Sequence, residues 1–548
     1  MPCPHQKTGS KLTVSQKDQP STSASSNVFF EADKPTTNTM AEALQPFLDK
    51  KKALNELDYS KRHAKGMLSA RERVDLLFDK DAFTEIAPLA RECDLAAATK
   101  AGETPRDAIV VGYGKINGRM VGVAAYDMQY RAGSMGKTCE WKFTRLKRLI
   151  LEQGFPLVIL TEGTGARLEE EVSSQGAYDN PQFANLVCLS GYVPIVVAVM
   201  GICVGGHANI TAIGDFVPMT ENSAMMIAGP PLLKSKMGID TTLEELGGAR
   251  KHVEESGMGD LLVADEEECI DKIKEFLSYL PNNCNEPPPQ RPTRDDPERL
   301  CSELRDIVPT DLRFAYDIKK IISGLVDDGK FFEFKPNFAQ NIVTCMAHMD
   351  GRVVGFIANQ PAYMSGTLDI KACQKISRFI NFCDCFGIAL IFLQDIPGYY
   401  PGPQSELDGI IRWSTRLLYE IEHATVPRFT VMLRKAFGLA HYGMNSLGMQ
   451  PNMLVAWPLA SFSAISPDDA VDILFGRVLA EMENGDERRQ ELVAEFKAKT
   501  TILPAAEAAL VDDVIDPADT RKVLIRALDM AKNRRPGHPF KRRGIVPI

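Results

Sequence analysis

Two stretches of the chain, 157–160 (Leu-Val-Ile-Leu) and 195–200 (Ile-Val-Val-Ala-Val-Met), are apolar at every position. Continuous apolar runs of this length fit strands covered on both faces, as in a parallel sheet flanked by helices. Shorter β-rich runs at 109–113 and 120–125 precede them, and longer segments of helical periodicity lie between. This alternation predicts an α/β architecture. From 41 to 83 the pattern is helical, and Ser69 with Glu72 forms a capping-box pair ahead of Val74, Leu76 and Leu77. The segment 281–292 interrupts the pattern, because Pro287, Pro288 and Pro289 can continue neither a helix nor a sheet. The expected organisation is a disordered tail at 1–40, an N-terminal domain at 41–286, a Pro-rich linker at 287–295 and a C-terminal domain at 296–548. The tail is rich in Ser, Thr, Pro, Gln and Lys and has no apolar h-region, so it does not read as a secretory signal. It also lacks arginine and carries Asp18, Glu31 and Asp33, which argues against a mitochondrial presequence.

The two halves repeat one another. Gly118-Arg119 before a Val-rich run matches Gly351-Arg352, 233 residues on. The run 157–160, followed by Glu162 and Gly165, matches 390–393 followed by Asp395 and Gly398. Val193-Pro194 matches Val426-Pro427, and Gly205 matches Gly438, at the same spacing. Four landmarks in one order at one ungapped offset imply a duplication. Each half then places a glycine-containing turn after a buried strand, Gly201 to Ala208 in the first and Arg434 to His441 in the second. Small residues there let a ligand approach the backbone and leave N–H groups to stabilise a developing oxyanion. Tight strand–helix packing alone would explain one such turn, but two at equivalent positions favour a functional site.

Composition narrows the field. Among 548 residues, 63 Lys and Arg face 72 Asp and Glu for a net charge of −9, which disfavours a general nucleic-acid or polybasic membrane surface. No run approaches the roughly 18–20 apolar residues that cross a bilayer. The twelve cysteines are scattered without a C-x-x-C pair or a zinc pattern, so reduced core thiols and no metal are expected, with Cys383 and Cys385 on a buried helix. That points to the cytoplasm, with the mitochondrial matrix as the alternative.

The first half carries the motifs His63-Ala-Lys-Gly-Met-Leu-Ser-Ala-Arg-Glu-Arg73, Ala132-Gly133-Ser134-Met-Gly136, the turn 201–206 and Glu245-Leu-Gly-Gly-Ala249. The second half carries Ala358-Asn-Gln-Pro361, Asp395-Ile-Pro-Gly398, Gly409-Ile-Ile-Arg412, Arg434-Lys435-Ala436 and Ala456-Trp-Pro458. By these motifs the chain resembles the carboxyltransferase (β) subunits of biotin-dependent acyl-CoA carboxylases, such as the propionyl-CoA and methylcrotonyl-CoA enzymes. The resemblance implies two duplicated crotonase-like domains with stacked β-sheets, and an active site shared between the first domain of one subunit and the second of another. The N–H groups around Gly205 and Gly206 would hold a thioester enolate, and those of Leu439 and Ala440 the ureido oxygen of biotin. Arg131, Gly133, Ser134, Gly165, Ala166, Arg167, Gly398 and Tyr442 would bind substrate. The implied partners are a short acyl-CoA, carboxybiotin carried on a separate biotin carboxylase or carrier subunit, and further copies of the chain in a dimer or hexamer.

The chain itself has no Gly-x-Ser-x-Gly elbow, Walker loop or Met-Lys-Met biotinylation site. Arg131, the Glu162-Gly-Thr-Gly-Ala-Arg167 loop and Gly438-Leu439 place it nearer a less characterised branch. Tyr442 stands where several relatives carry a polar residue that helps to set acyl-chain preference. Arg131 and Arg167 are equally candidates for CoA phosphates or for pairing with Glu169–Glu171. His207 and His441 read as wall or helix residues more readily than as proton donors. Two other functions use the same features: decarboxylation of a malonyl-type acyl-CoA, and a structural subunit with weak catalysis.

Overall fold

The computed structural model describes residues 39–92, 107–172, 182–312, 314–533 and 546–547, so the tail expected at 1–40 falls almost wholly outside the described residues. Residues up to Asp49 form a unit of their own. In it Thr39 and Glu42 cap the start of the helix Met40–Asn55 reciprocally, side chain to backbone N–H, at 3.0 and 3.2 Å. From Lys50 onward the chain is one unit.

That unit holds two eight-stranded sheets. The first comprises β1 (Thr84–Glu85), β2 (Ile109–Ile116), β3 (Arg119–Tyr126), β4 (Leu157–Gly163), β5 (Ile195–Val204), β6 (Pro218–Thr220), β7 (Ala224–Met226) and β8 (Leu261–Val263). Its order is β1-β2-β3-β4-β5-β6-β8, with β7 also paired to β5. The second comprises β9 (Phe331–Phe334), β10 (Ile342–Met349), β11 (Arg352–Asn359), β12 (Ala389–Ile396), β13 (Arg428–Phe437), β14 (Met453–Ala456), β15 (Ser461–Ser463) and β16 (Asp513–Val514). Its order is β16-β14-β13-β12-β11-β10-β9, with β15 on β13. In each sheet a hairpin pairs antiparallel and the strands that follow run parallel. The two apolar runs became β4, buried throughout, and β5, buried over its first seven residues.

The repeat extends to backbone detail. β2, β3 and β5 recur as β10, β11 and β13 at a spacing of 233. The hairpin turns Asn117-Gly118 (φ 51° and 79°) and Asp350-Gly351 (φ 51° and 73°) share the double positive φ that suits Asn-Gly and Asp-Gly to a two-residue hairpin. The 3-10 turns Arg131–Gly133 and Met364–Gly366 repeat at the same spacing. So does the register shift that follows Thr161 in β4 and Gln394 in β12.

The helix Ala70–Leu77 starts at the expected box, with Ser69 Oγ accepting from Glu72 N–H and Glu72 accepting from Ser69 N–H. Its buried Val74 and Leu77 join a core that continues into the second half. There Phe276, on the helix Glu266–Ser278, stacks on Phe216 (centroids 4.7 Å apart) and on Phe382 (5.8 Å), and meets Phe332 at 6.0 Å. The Pro-rich stretch is anchored at both ends. Asn283 and Cys284 bond to Gly154 O and Tyr192 O of the first half, and Arg291 N–H to Gly351 O of the second. The described cysteines are all free, and Cys383 is buried as expected, but Cys385 on the same helix is exposed.

Candidate functional site

Strand β5 ends at Val204, and the chain turns at Gly205 (φ 61°, ψ −118°) into the short helix Gly206–Thr211. Only glycine takes this backbone without strain. Gly205 N–H donates to Met226 O at 3.0 Å, and Asn209 N–H returns to Gly205 O at 3.1 Å. The donors this turn offers are therefore those after Gly205, beginning with Gly206, because the first N–H groups of a helix have no partner within it. The second half does the same. Gly438 (φ 64°) follows β13 and donates to Ser463 O at 3.2 Å, and the 3-10 helix Leu439–Met444 begins at once. Leu439 is 62% exposed and Ala440 fully buried.

Two loops close on the first turn. Met135 N–H donates to Gly165 O and Arg167 N–H to Met135 O, both at 2.8 Å, so 133–136 and 165–167 run side by side with Ala166 opposite Met135. Close contact needs glycine at position 133. A Cβ on Gly133 would sit 2.8 Å from Gly163 Cα, and one on Gly206 would overlap the Met135 thioether methyl. Gly165 (φ 92°) packs over the first turn, 4.0 Å from the place of a Gly205 Cβ. His207 binds the three segments together. Its Nε2 lies 3.0 Å from Gly133 O and its Nδ1 3.4 Å from Thr161 Oγ1, with the Tyr126 ring edge-on at 4.4 Å. A carbonyl only accepts, so Nε2 carries the hydrogen. Burial pushes the His207 pKa down to about 4, and the ring is neutral. It is a wall residue, not a proton donor to substrate. In the second half, Leu368 N–H donates to Gly398 O at 3.1 Å, the counterpart of Met135 to Gly165.

The two arginines stand in different surroundings. Arg167 has a fully buried side chain, paired with Asp107 at 2.5 Å and Glu170 at 2.9 Å, and it donates to Ser134 O and Ser134 Oγ. A guanidinium so enclosed is scaffolding for the 133–136 loop, and Ser134 is its partner. Of the acidic run, Arg167 uses Glu170 alone. Arg131 keeps a partly exposed side chain but pairs with the buried Glu92 at 3.2 Å, which Tyr130 also contacts at 2.8 Å.

Beneath each turn lies a buried carboxylate that sequence reasoning did not assign. Glu162, at the end of β4, is held by Arg62 at 2.9 and 3.2 Å and by Arg73 at 2.9 Å. Arg73 also pairs with Glu266 and donates to Met200 O at 3.2 Å. Its counterpart Asp395 accepts from Tyr316 at 3.0 Å, Arg434 at 3.1 Å and Lys435 N–H at 3.1 Å. The 233 spacing pairs Glu162 with Asp395 in the sequence, but their cationic partners share no spacing. Asp107, which holds Arg167, carries no motif at all.

Behind the second turn lies a cavity of about 270 Å³ lined by Met432, Leu454, Phe462, Leu510, Val511 and the half-buried Tyr442. His441 Nδ1 lies 2.5 Å from Ser446 Oγ, and burial lowers the His441 pKa to about 4, so this wall is uncharged. Among the described residues no cluster of His, Cys, Asp and Glu suits a metal ion, and no helix is long and apolar enough to cross a membrane.

Two parallel-rich sheets, each with a glycine turn directly after a central parallel strand, define a crotonase-like protein. Residues 61–546 match the carboxyl transferase domain family, and the chain belongs to that family as a carboxyltransferase. It is 39% identical over 489 residues to the propionyl-CoA carboxylase carboxyltransferase subunit of Haloferax mediterranei, covering 89% of this chain and 95% of that one. It is 37% identical to the methylmalonyl-CoA decarboxylase subunit alpha of Veillonella parvula, over 94% of this chain and all of that one. The crystal structure of transcarboxylase 12S, a hexamer with methylmalonyl-CoA bound, superposes with a TM-score of 0.88 at 35% identity, over 94% of this chain and all of that one.

Proposed function

We propose that the chain moves a carboxyl group between carboxybiotin, carried on a separate biotin carboxylase or carrier subunit, and the α-carbon of a short acyl-CoA. The pair of equivalent turns carries this reading: in each, the glycine N–H is bonded to a neighbouring strand or its edge, while the donors after it begin a new helix. Transfer through an enolate builds negative charge on the thioester oxygen, and donors fixed in place stabilise such charge without reorganising. Gly206 and the residues after it would hold the thioester oxygen. Leu439 and Ala440 would hold the ureido oxygen, and the fit is good: Ala440 is small and buried, and the 270 Å³ cavity beside it is uncharged and apolar. When bound, carboxybiotin supplies the carboxyl group and accepts the α-proton. Gly133, Gly165, Ala166 and Gly398 bring backbone close to the substrate, with Ser134 and Arg167 bracing the first loop. Arg131, the more exposed of the two arginines, would face the CoA.

Each turn is assembled from loops of its own half. This supports an active site completed by a second copy of the chain, as a dimer or hexamer, with 41–286 as the acyl-CoA domain, 287–295 as the linker and 296–548 as the biotin domain. Free thiols throughout the described residues support a reducing compartment, the cytoplasm first. The test is carboxyl transfer from malonyl-CoA or methylmalonyl-CoA to free biotin by the purified chain. Acyl-CoA should form only when biotin is present. Loss of CO2 without biotin would instead assign a decarboxylase, the activity named for the Veillonella relative.

A further inference from the structure

A second cavity, of about 660 Å³, lies at the opposite end of the first sheet from its glycine turn. Gly154 and Phe155 on its wall precede β4, and Arg119 opens β3. The turn at Gly205 follows the far end of β5, which runs parallel to β4. The seven residues of β4, at about 3.3 Å each, put roughly 20 Å between the two places. Arg119 is the cation on this wall and Glu286 the acid. The half-buried guanidinium donates to Leu277 O at 2.8 Å and to Asn282 Oδ1 at 3.2 and 3.3 Å. Both acceptors are neutral, and these bonds leave part of the five-donor fork unused. Glu286 is taken up by the amides of Asn282 and Asn283, at 2.8 and 3.3 Å. Burial pushes the Arg119 pKa down, and the Glu286 charge opposes that.

The duplicated half shows what such a place accepts. Arg352, 233 residues on, pairs with Asp529 at 2.6 Å and Asp350 at 3.4 Å. The linker crosses that hairpin: Gln290 bridges to Arg352, and a Cβ on Gly351 would overlap Arg291 O. In the first half Asn117 stands at the position of Asp350, and among the described residues no atom lies within 4 Å of the place of a Gly118 Cβ. The equivalent arginine thus meets two carboxylates in one half, while in the other it hydrogen-bonds neutral groups beside a cavity.

We propose that this cavity binds a small monocarboxylate with an apolar body, its carboxylate on the unused Arg119 donors and its body against Met120, Leu149 and Phe155. Charge-assisted hydrogen bonds from a guanidinium are the strong kind, and the volume lies within the roughly 300–1,000 Å³ usual for ligand sites. Glu286 sets the charge. A second anionic group on the ligand would face its carboxylate, which disfavours dicarboxylates and the polyanionic coenzyme A. The site stands apart from the oxyanion turns and from the carboxyl-transfer reading given for them.

The experiment is calorimetric titration of the full-length chain with hexanoate, hexanol and adipate, as wild type, Arg119→Gln and Glu286→Gln. Hexanoate should bind wild type with a Kd of about 1 mM or tighter, and hexanol at least about tenfold more weakly. Coenzyme A should not displace it. Arg119→Gln should weaken hexanoate by about tenfold or more and leave hexanol as it was. Glu286→Gln should improve adipate relative to hexanoate by about threefold or more. If Arg119→Gln fails to fold, Arg119→Lys keeps the charge without the fork and should still weaken hexanoate several-fold. No heat from hexanoate up to about 10 mM would overturn the proposal. So would hexanol binding as tightly, displacement by coenzyme A, hexanoate affinity unchanged in the folded Arg119 variant, or an unchanged adipate-to-hexanoate ratio in Glu286→Gln.

Discussion

At Gly205 a single backbone conformation decides what the turn can do. A Cβ there would meet nothing nearer than Ile227 O at 3.8 Å, so space is no obstacle to a larger residue, but φ 61° with ψ −118° is. Gly205→Ala costs on the order of 1–3 kcal/mol of backbone strain, and the chain can relieve it only by rotating the peptide that carries the following donor. The expected outcome is a carboxyl-transfer kcat about 10²- to 10³-fold lower, the scale for losing one oxyanion donor, with the far-ultraviolet circular dichroism of wild type. Retained activity in that variant would remove the turn from the mechanism. His207 supports a prediction in pH. Its folded pKa of about 4 lies below the ordinary value of about 6.5, so between those values the unfolded chain binds a proton that the folded chain refuses. Stability is therefore full above about pH 6.5 and falls as the pH drops toward 4, by at most about 1.4 kcal/mol per pH unit from this ring. Urea denaturation of His207→Gln across that window should give a correspondingly flatter dependence.

Each central strand ends in a buried carboxylate at the point where its pairing register shifts. On β4 this is Glu162, clamped by two arginines from the segment that precedes the first sheet, so the clamp ties that segment to the strand beside the turn. A Cβ on Gly201 of β5 would lie within 2.6 Å of the Glu162 side chain, so the strand itself leaves room for it. Removing one member of a buried ionic cluster leaves the others charged and unpaired, which costs about 3–5 kcal/mol. Glu162→Gln should lower stability by that amount in denaturant titration. A change below about 1 kcal/mol would mean that water replaces the lost charge. The strands and the helix cap at Ser69 were legible in the chain because they depend on local pattern. The clamps were not, since Arg62 and Glu162 are a hundred residues apart in sequence and no spacing records their meeting.

At the scale of the whole molecule one core cluster spans both halves, beside clusters confined to each. Phe276 belongs to the first half by sequence, yet its ring packs against Phe332, Phe334 and Phe382 of the second. A buried Phe→Ala change costs about 3–5 kcal/mol when the cavity cannot collapse. Phe276→Ala should therefore lower the single thermal transition of the whole chain. Two separated transitions, with the second half untouched, would show that the core is not shared in solution.

The sequence by itself determined the α/β class, the duplication with its 233-residue spacing and the place of both glycine turns, because periodicity, turn chemistry and repeats are properties of neighbouring residues. It also carried the motifs by which the family is recognised. Only the tertiary structure decided what the charged groups do. Arg167, equally a candidate for CoA phosphates or for pairing with Glu169–Glu171 in the sequence, is enclosed by Asp107 and Glu170, and burial makes such pairing obligatory for a charge. His207 became a neutral pin for Gly133, and Gly205 spent its own N–H on Met226. Each of these roles depends on which distant atoms surround the group, and chain order alone does not encode that.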